Sequence, residues 1–399
     1  MIDAASLRAA AEAVLPDVME IRRRLHRQPE IGLQLPGTQA VIAEELRRIG
    51  LEPRLGGTTT SVTAIIDGDQ PGPTTLLRAD MDALPLQEDT DLAFASEVAG
   101  VMHGCGHDTH IAMLLGAARL LVERRADLRG RVLLMFQPGE EGWHGARFML
   151  EEGLLEEGPH GAGDVSRAVA LHISTRYEAG VVALRPGPML ASSDAIKGAV
   201  HGRGGHASTP HLALDPIPVS AEFVLALQTM VTRRVDAFDP AVVTITHLDG
   251  GTTNNIIPES VAFEGTIRTV SEPMRASVAA WVRQVAEGVA ATHGATIDLE
   301  VVPGYPVTVN DPEATAWFRS LAADLVGEEA VQDLAAPIMG AEDFSYVLQR
   351  VPGLMAFVGA WPAHEDRATA PQNHSNRVIF EEAPMAVGVA LYAAAALAD

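Results

Sequence analysis

The sequence predicts an α/β protein: an open, mixed sheet in a larger domain, into which a smaller ferredoxin-like βαββαβ domain is inserted. Three observations predict it. Short, continuously apolar runs alternate with stretches of helical periodicity, the pattern of strands buried beneath helices. From about residue 185 the rhythm becomes strand, helix, strand, strand, helix, strand within just over a hundred residues, the ferredoxin-like order. The helix–strand alternation then resumes, so the larger domain is read as 1–184 and 304–399, with 185–303 between them.

Taken in order, Leu7, Ala10, Ala11, Val14, Leu15, Val18, Ile21 and Leu25 recur at helical spacing and give an amphipathic helix within Met1 to Arg27. A second helix runs from Thr38, a residue type suited to an N-cap, to Gly50. The apolar runs Val62–Ile66, Thr75–Ala79, Val132–Phe136 and Ala168–Ile173 read as strands, with helices near Ile111–Val122 and Ala146–Leu150. The insert reads as strand Ala195–His201, helix Pro216–Arg233, strands Ala241–His247 and Ser260–Val270, helix Pro273–Gly294 and strand Thr296–Val302. Gly180–Pro188 and Pro303–Pro306 are the expected crossings. Helix Pro312–Leu325, strand Leu354–Gly359 and a helix from Glu381 follow.

Composition bounds the function. A chain of 399 residues can bury about three quarters of its unfolded surface, and 47% hydrophobic with 20% charged residues is ordinary for a globular protein. Fifty-two Asp and Glu against 29 Lys and Arg, net −23, disfavour nucleic acid or an anionic membrane as partner. No apolar run reaches the roughly 18 residues of a membrane span, and the first residues lack the order of a secretory signal. A cytoplasmic location is therefore the expectation. The single cysteine, Cys105, excludes an intrachain disulfide and leaves a buried hydrophobe, a nucleophile or a metal ligand.

Four clusters carry chemistry. His103, Cys105, His107 and His110 place four soft or borderline donors within eight residues, a set suited to zinc or another first-row divalent ion. If the segment is extended, His103, Cys105 and His107 share one side, Gly104 and Gly106 leave room for a ligand, and the following helix's positive end favours the Cys105 thiolate. Glu140 and Glu141 follow the strand Val132–Phe136; adjacent carboxylates can divide metal binding from proton transfer. His172 ends an apolar strand, and Asp80 and Asp82 end another. Taken singly, each is as well read as a structural histidine or a solvated acidic turn. Together they lie at strand carboxyl ends or a helix start, where open α/β sheets bind ligands.

The chain resembles the M20 metallopeptidase family, in its aminoacylase, hippurate hydrolase and auxin-conjugate hydrolase branch. The resemblance runs through His26–Gly32, Arg78–Pro85, Met102–His110, Pro138–Gly142, Leu171–His172, Gly202–Pro210, Asn255–Pro258, Met339–Ser345 and Asn373–Ser375. It implies a catalytic domain of zinc-aminopeptidase type and an inserted lid that dimerises. It also implies that Cys105, His107, Glu141, His172 and His374 bind two divalent ions (Mn²⁺, Zn²⁺, Co²⁺ or Ni²⁺). Glu140 would be the general base, with His206 and Asn255 lent to the partner's active site in a homodimer or homotetramer. Departures are small: Gly139 replaces a common Ala, His144 stands where a small residue is usual, and no proline follows His172 closely.

The expected activity is metal-dependent hydrolysis of an N-acyl amino acid. A dipeptidase or carboxypeptidase of the same family, a cysteine-nucleophile amidase using Cys105 and a non-catalytic metal-binding protein are the alternatives. Asp80, Asp82, Asp108 and His110 are read as orienting the ligands rather than binding metal. Arg268 is the expected cation for the substrate carboxylate, against an equal reading as an arginine at a sheet edge.

Overall fold

The computed structural model describes residues 3–158, 160–362, 366–367 and 369–398. Two compact units emerge: one of 1–189, 309–336 and 343–399, the other of 190–308 and 337–342.

The first unit is built on a mixed sheet. Its strands run in the spatial order Arg54–Leu55, Val62–Asp67, Arg129–Gln137, Gln70–Asp80, Val165–Glu178, Gly353–Trp361, Val182–Leu184 and Val331–Asp333. The four central strands are mutually parallel, and antiparallel strands flank them. Three of them, Arg129–Gln137, Val165–Glu178 and Gly353–Trp361, are apolar for four or more residues in succession, as burial on both faces requires. The helices Ala4–Arg27, His107–Glu123 and Met385–Leu397 join this core. Met385–Leu397 is buried almost all round, which explains its uniformly apolar sequence. No helix among the described residues is long and apolar enough to cross a membrane.

The second unit orders its strands Ala241–Asp249, Ser260–Thr269, Ser193–His201 and Thr296–Tyr305, every neighbour antiparallel. Helices Pro216–Arg234 and Glu272–His293 pack on one face around Ile196, Val200, Phe223, Phe263, Val278 and Val282. Numbered within the unit, the sheet reads 4-1-3-2, the ferredoxin-like arrangement.

Several expectations need correction. The second helix is Pro36–Arg48, and Thr38 lies inside it. Pro36 presets the first turn, and the Glu30 carboxylate accepts from Gly37 N–H and Thr38 N–H in place of a cap. The last helix begins at Met385 rather than Glu381, because Pro384 sets its start and Glu381 N–H is spent on Ala360 O. Residues 337–342, read as part of the larger domain, cluster with the inserted unit, since Ala191 N–H bonds to Ile338 O and Gly340 O. Met1 lies outside the described residues.

Candidate metal centre

Sheet register brings the acidic and imidazole residues to one rim. Asp80 pairs with Gln137, three residues before Glu140, and Arg78 pairs with Ala170, two before His172. His172 does not end its strand as expected; the strand continues to Glu178 along Gly353–Trp361, past the last pair with the Asp80 strand. The side chain is thus exposed at the rim by its neighbour stopping. Gly106 opens the helix His107–Glu123 at φ +88°, and a Cβ there would stand 2.3 Å from Ile173 Cγ2. Glycine is required by that backbone angle and by strand packing, not by a ligand.

The donors converge. One donor atom each from Cys105, His107 and His172 lie within 4.8 Å of one another, as do those of Cys105, Glu141 and His374 and those of His107, Glu140 and Glu141. Cys105 Sγ is 3.4 Å from His172 Nε2, and His374 Nε2 is 3.1 Å from Glu141 Oε1. Glu140 Oε2 is 4.0 Å from His107 Nε2. His172 Nδ1–H donates to Ile173 O at 2.7 Å, which fixes the tautomer and turns the Nε2 lone pair toward Cys105. His374 is held at φ +72°, uncommon without glycine and a mark of a conformation imposed by its surroundings.

Asp80 and His110 also gather near His107, but their atoms are engaged. Asp80 Oδ2 accepts from Arg78 at 2.6 Å and Oδ1 accepts from His110 Nδ1–H at 2.5 Å. His110 Nε2 accepts the Ile173 N–H at 2.7 Å, so this ring ties the Asp80 strand to the residue after His172. Asp82 accepts from the backbone N–H groups of Glu140 and Glu141 and lies 3.6 Å from His107 Nδ1. Asp108, fully buried, accepts from Arg22 and His26.

The charge balance fits a cation. Both ring nitrogens of His107 are buried without a hydrogen-bond partner, a costly state for a purely structural group. Burial opposes protonation of His107, yet Asp80, Asp82 and Glu141 push its pKa up to about 10. Burial, then Glu141, Glu140 and Asp80, raise the Cys105 thiol well above its usual range. The expectation that the helix N-terminus favours a thiolate is overridden by these nearer charges; a bound divalent cation would supply the opposite sign. Thiolate, imidazole and carboxylate together suit Zn²⁺ and its first-row neighbours.

His103 departs from its expected place. The segment turns at residues 104–106 instead of running extended, and His103 packs beside His26, ring centroids 6.2 Å apart. Burial lowers its pKa to about 3 and keeps it neutral. His144 takes φ +59°, which a glycine would adopt without strain, and its Nδ1 is 2.9 Å from Tyr346 Oη.

In the inserted unit, His206 and Asn255 stand close together on a short ribbon in which Ile256 pairs with His206. Ser208 N–H donates to His206 Nδ1 at 3.1 Å, so the ring proton sits on Nε2. Thr253 donates to Asn255 Oδ1 at 3.2 Å, leaving the amide NH₂ as the donor. Both residues are exposed. Arg268 is half-buried on the strand Ser260–Thr269; burial lowers its pKa and Asp194 opposes that.

Sequence reasoning gave no role to Asn373. Its Nδ2 donates to Cys105 O and to Ile173 O, both at 3.1 Å, and its Oδ1 accepts from Thr175 N–H at 3.3 Å. It thereby fastens the Cys105 turn, the His172 strand and the His374 loop. Its adjacency to His374 was the only available signal, because an amide has no metal-binding chemistry to announce it.

Residues 76–398 match the model of peptidase family M20/M25/M40. The chain is 38% identical to thermostable carboxypeptidase 2 of Saccharolobus solfataricus, over 95% of this chain and 94% of that one. It is 36% identical to IAA-amino acid hydrolase ILR1-like 2 of Arabidopsis thaliana (98% and 86% covered). With N-acetyl-L-cysteine deacetylase of Bacillus subtilis it shares 37% (86% and 80% covered). Among solved structures, a putative aminohydrolase from methicillin-resistant Staphylococcus aureus superposes with TM-score 0.88 at 32% identity, covering 97% of each chain. The YXEP protein of Bacillus subtilis, described as a dinuclear metal binding peptidase, does so with 0.82 at 33% identity, covering 96% and 98%.

Proposed function

Because the chain belongs to peptidase family M20/M25/M40 and is thus a metal-dependent hydrolase, we propose that it cleaves the amide bond of N-acyl amino acids. N-acetyl, hippurate-like and indole-acetyl conjugates are the substrate class. The observation that carries the reading is the division of labour within the glutamate pair. Glu141 lies among the donors of Cys105 and His374 as well as those of His107, whereas the buried Glu140 gathers with His107 and Glu141.

In this reading Cys105, His107, Glu141, His172 and His374 hold two divalent ions, Mn²⁺, Zn²⁺, Co²⁺ or Ni²⁺. When bound, such ions supply water acidified to a pKa of about 7 and polarise a carbonyl. Glu140, its backbone fixed by Asp82 at 2.9 Å, takes the proton of the attacking water and delivers it to the leaving amine. His206 Nε2–H and the Asn255 amide are donors suited to the developing oxyanion, and Arg268 to the carboxylate of the amino acid.

Pairing of two chains through the inserted unit would bring His206 and Asn255 to the partner's centre. Exposed Leu225 (68%) and Phe238 (98%) on that unit support such pairing. The lone free cysteine suits a reducing, cytoplasmic setting.

The raised Cys105 thiol speaks against the cysteine-nucleophile alternative, since a nucleophilic cysteine needs the opposite shift. Carboxypeptidase activity is the second reading, favoured by the Saccharolobus relative. The test is a hydrolysis panel with metal-loaded protein: N-acetyl, N-benzoyl and indole-acetyl amino acids against unblocked dipeptides. Turnover of blocked substrates is expected. Cleavage confined to dipeptides selects the peptidase reading, and inactivity toward all of them with metal bound refutes both.

A further inference from the structure

A second buried charged cluster lies behind the ligand loop, and the mechanism above leaves it unused. The first helix, Ala4–Arg27, places Arg22, Arg23 and His26 along its last turns. Arg22 Nε and His26 Nδ1 both reach Asp108 Oδ2, each at 2.8 Å. Arg22, His26 and Asp108 are each no more than 1% exposed. His26 Nε2 faces Glu88 at 3.3 Å. Arg22 Nη1 and Arg23 Nε reach Glu382 at 3.1 Å each, just before the last helix. Phe94 closes the cluster, with the Arg22 and Arg23 guanidinium groups over its ring at 4.7 and 5.1 Å.

The cluster is electrically matched. Both His26 nitrogens face carboxylates, so the ring carries both protons, and three cations (Arg22, Arg23, His26) meet three anions (Asp108, Glu88, Glu382). Burying ions is unfavourable until pairing repays it. An apolar contact would hold these four segments together without that cost. What charges add is direction: two donors converging on one oxygen fix the rotation of Asp108, and Asp108 is the residue after His107. It also sits in the first turn of the helix that His107 begins, where a carboxylate favours the helix start.

We propose that Arg22 and His26 are positioning residues for the metal centre, fixing the backbone of His107 through Asp108, the next residue in the first turn of the same helix. The proposal rests on the metal-centre reading above. The first helix, remote in sequence from every ligand, then braces the ligand loop from outside rather than only covering the core. The dissociation constant of the metal should depend on this pair, while kcat at saturating metal should hardly change, because neither residue touches the reacting groups.

The test measures Zn²⁺ or Mn²⁺ affinity by competition with a chromophoric chelator, in the wild type, Arg22→Gln, His26→Gln and the conservative Arg22→Lys. Loss of an outer partner of a metal ligand costs roughly 10–100-fold in affinity. Arg22→Gln and His26→Gln should weaken binding by about tenfold or more, Arg22→Lys by less, each with wild-type kcat at saturating metal. Folded Gln variants with wild-type affinity would overturn the proposal. A wild type that binds no divalent ion would refute the metal centre itself, so the two failures are distinguishable. A second measurement needs no variant: by reciprocity, adding metal to the metal-free wild type should slow amide exchange around residues 22–28 as well as 103–110. Protection confined to 103–110 would also overturn the proposal.

Discussion

Asp82 Oδ1 accepts the backbone N–H of Glu140 at 2.9 Å. Its other oxygen accepts that of Glu141 at 3.0 Å. One carboxylate thus sets the placement of two others, and it lies 3.6 Å from His107 Nδ1 as well. Asp82→Ala should lower kcat by about 10²-fold, the effect of misplacing a reacting group by roughly 1 Å. Steady-state kinetics at saturating metal checks this, and turnover close to wild type would show that the clamp is dispensable.

Glu140→Gln keeps size and removes the base. Its metal content, read by elemental analysis, should match the wild type, while kcat falls by roughly 10²–10⁴-fold, the usual range for a general acid–base. Loss of metal together with activity would make Glu140 a ligand instead.

Chelation should abolish hydrolysis, and Mn²⁺, Zn²⁺ or Co²⁺ should restore it. In the metal-free protein, burial and the neighbouring carboxylates raise the Cys105 thiol, so iodoacetamide near neutral pH should label it more slowly than a small free thiol. Faster labelling, or activity that survives chelation, would return the cysteine-nucleophile reading to consideration.

Asn373 has a graded prediction. Asn373→Ala leaves the carbonyls of Cys105 and Ile173 without its donor and should cost about 1–3 kcal/mol. Asn373→Asp sets a carboxylate against the same two oxygens and should cost more. Urea unfolding of the metal-free proteins gives the order; Asp milder than Ala would contradict the donor assignment.

His26 predicts a pH dependence. Burial opposes its protonated form, but Asp108 and Glu88 outweigh burial and raise its pKa. A raised folded value means that its stabilisation is complete below the unfolded value of about 6.5 and is lost as pH rises through the folded value. The stability gap between wild type and His26→Gln should therefore narrow toward alkaline pH. Thermal unfolding across pH reads it, and a gap that widens would reverse the assignment.

Much of this was legible in one dimension because burial writes itself into composition. The runs Val62–Ile66 and Val132–Phe136 are apolar without alternation since helices cover both faces, and the structure extends each only at its ends. Boundaries were less legible. Thr38 looked like a cap because Ser, Thr, Asp and Asn usually serve, whereas the capping carboxylate came from Glu30, six residues before the helix begins. His103 looked like its neighbours Cys105 and His107, and only the turn at Gly106 sent it to another cluster.

Sequence by itself determined the element types and the order of the inserted unit, since both depend on local periodicity, and it offered candidate donors through side-chain chemistry and, for His374, through family resemblance. Tertiary structure decided which donors meet. Asp80 and His110 carry the right atoms for a metal, yet Arg78 and the Ile173 N–H occupy them. Arg22 and Asn373 have no such chemistry and His26 spends both ring nitrogens on Asp108 and Glu88, yet all three bond to segments that carry the donors. The reason is that hydrogen-bond saturation is a property of three-dimensional neighbours, and those neighbours lie up to hundreds of residues away in the chain.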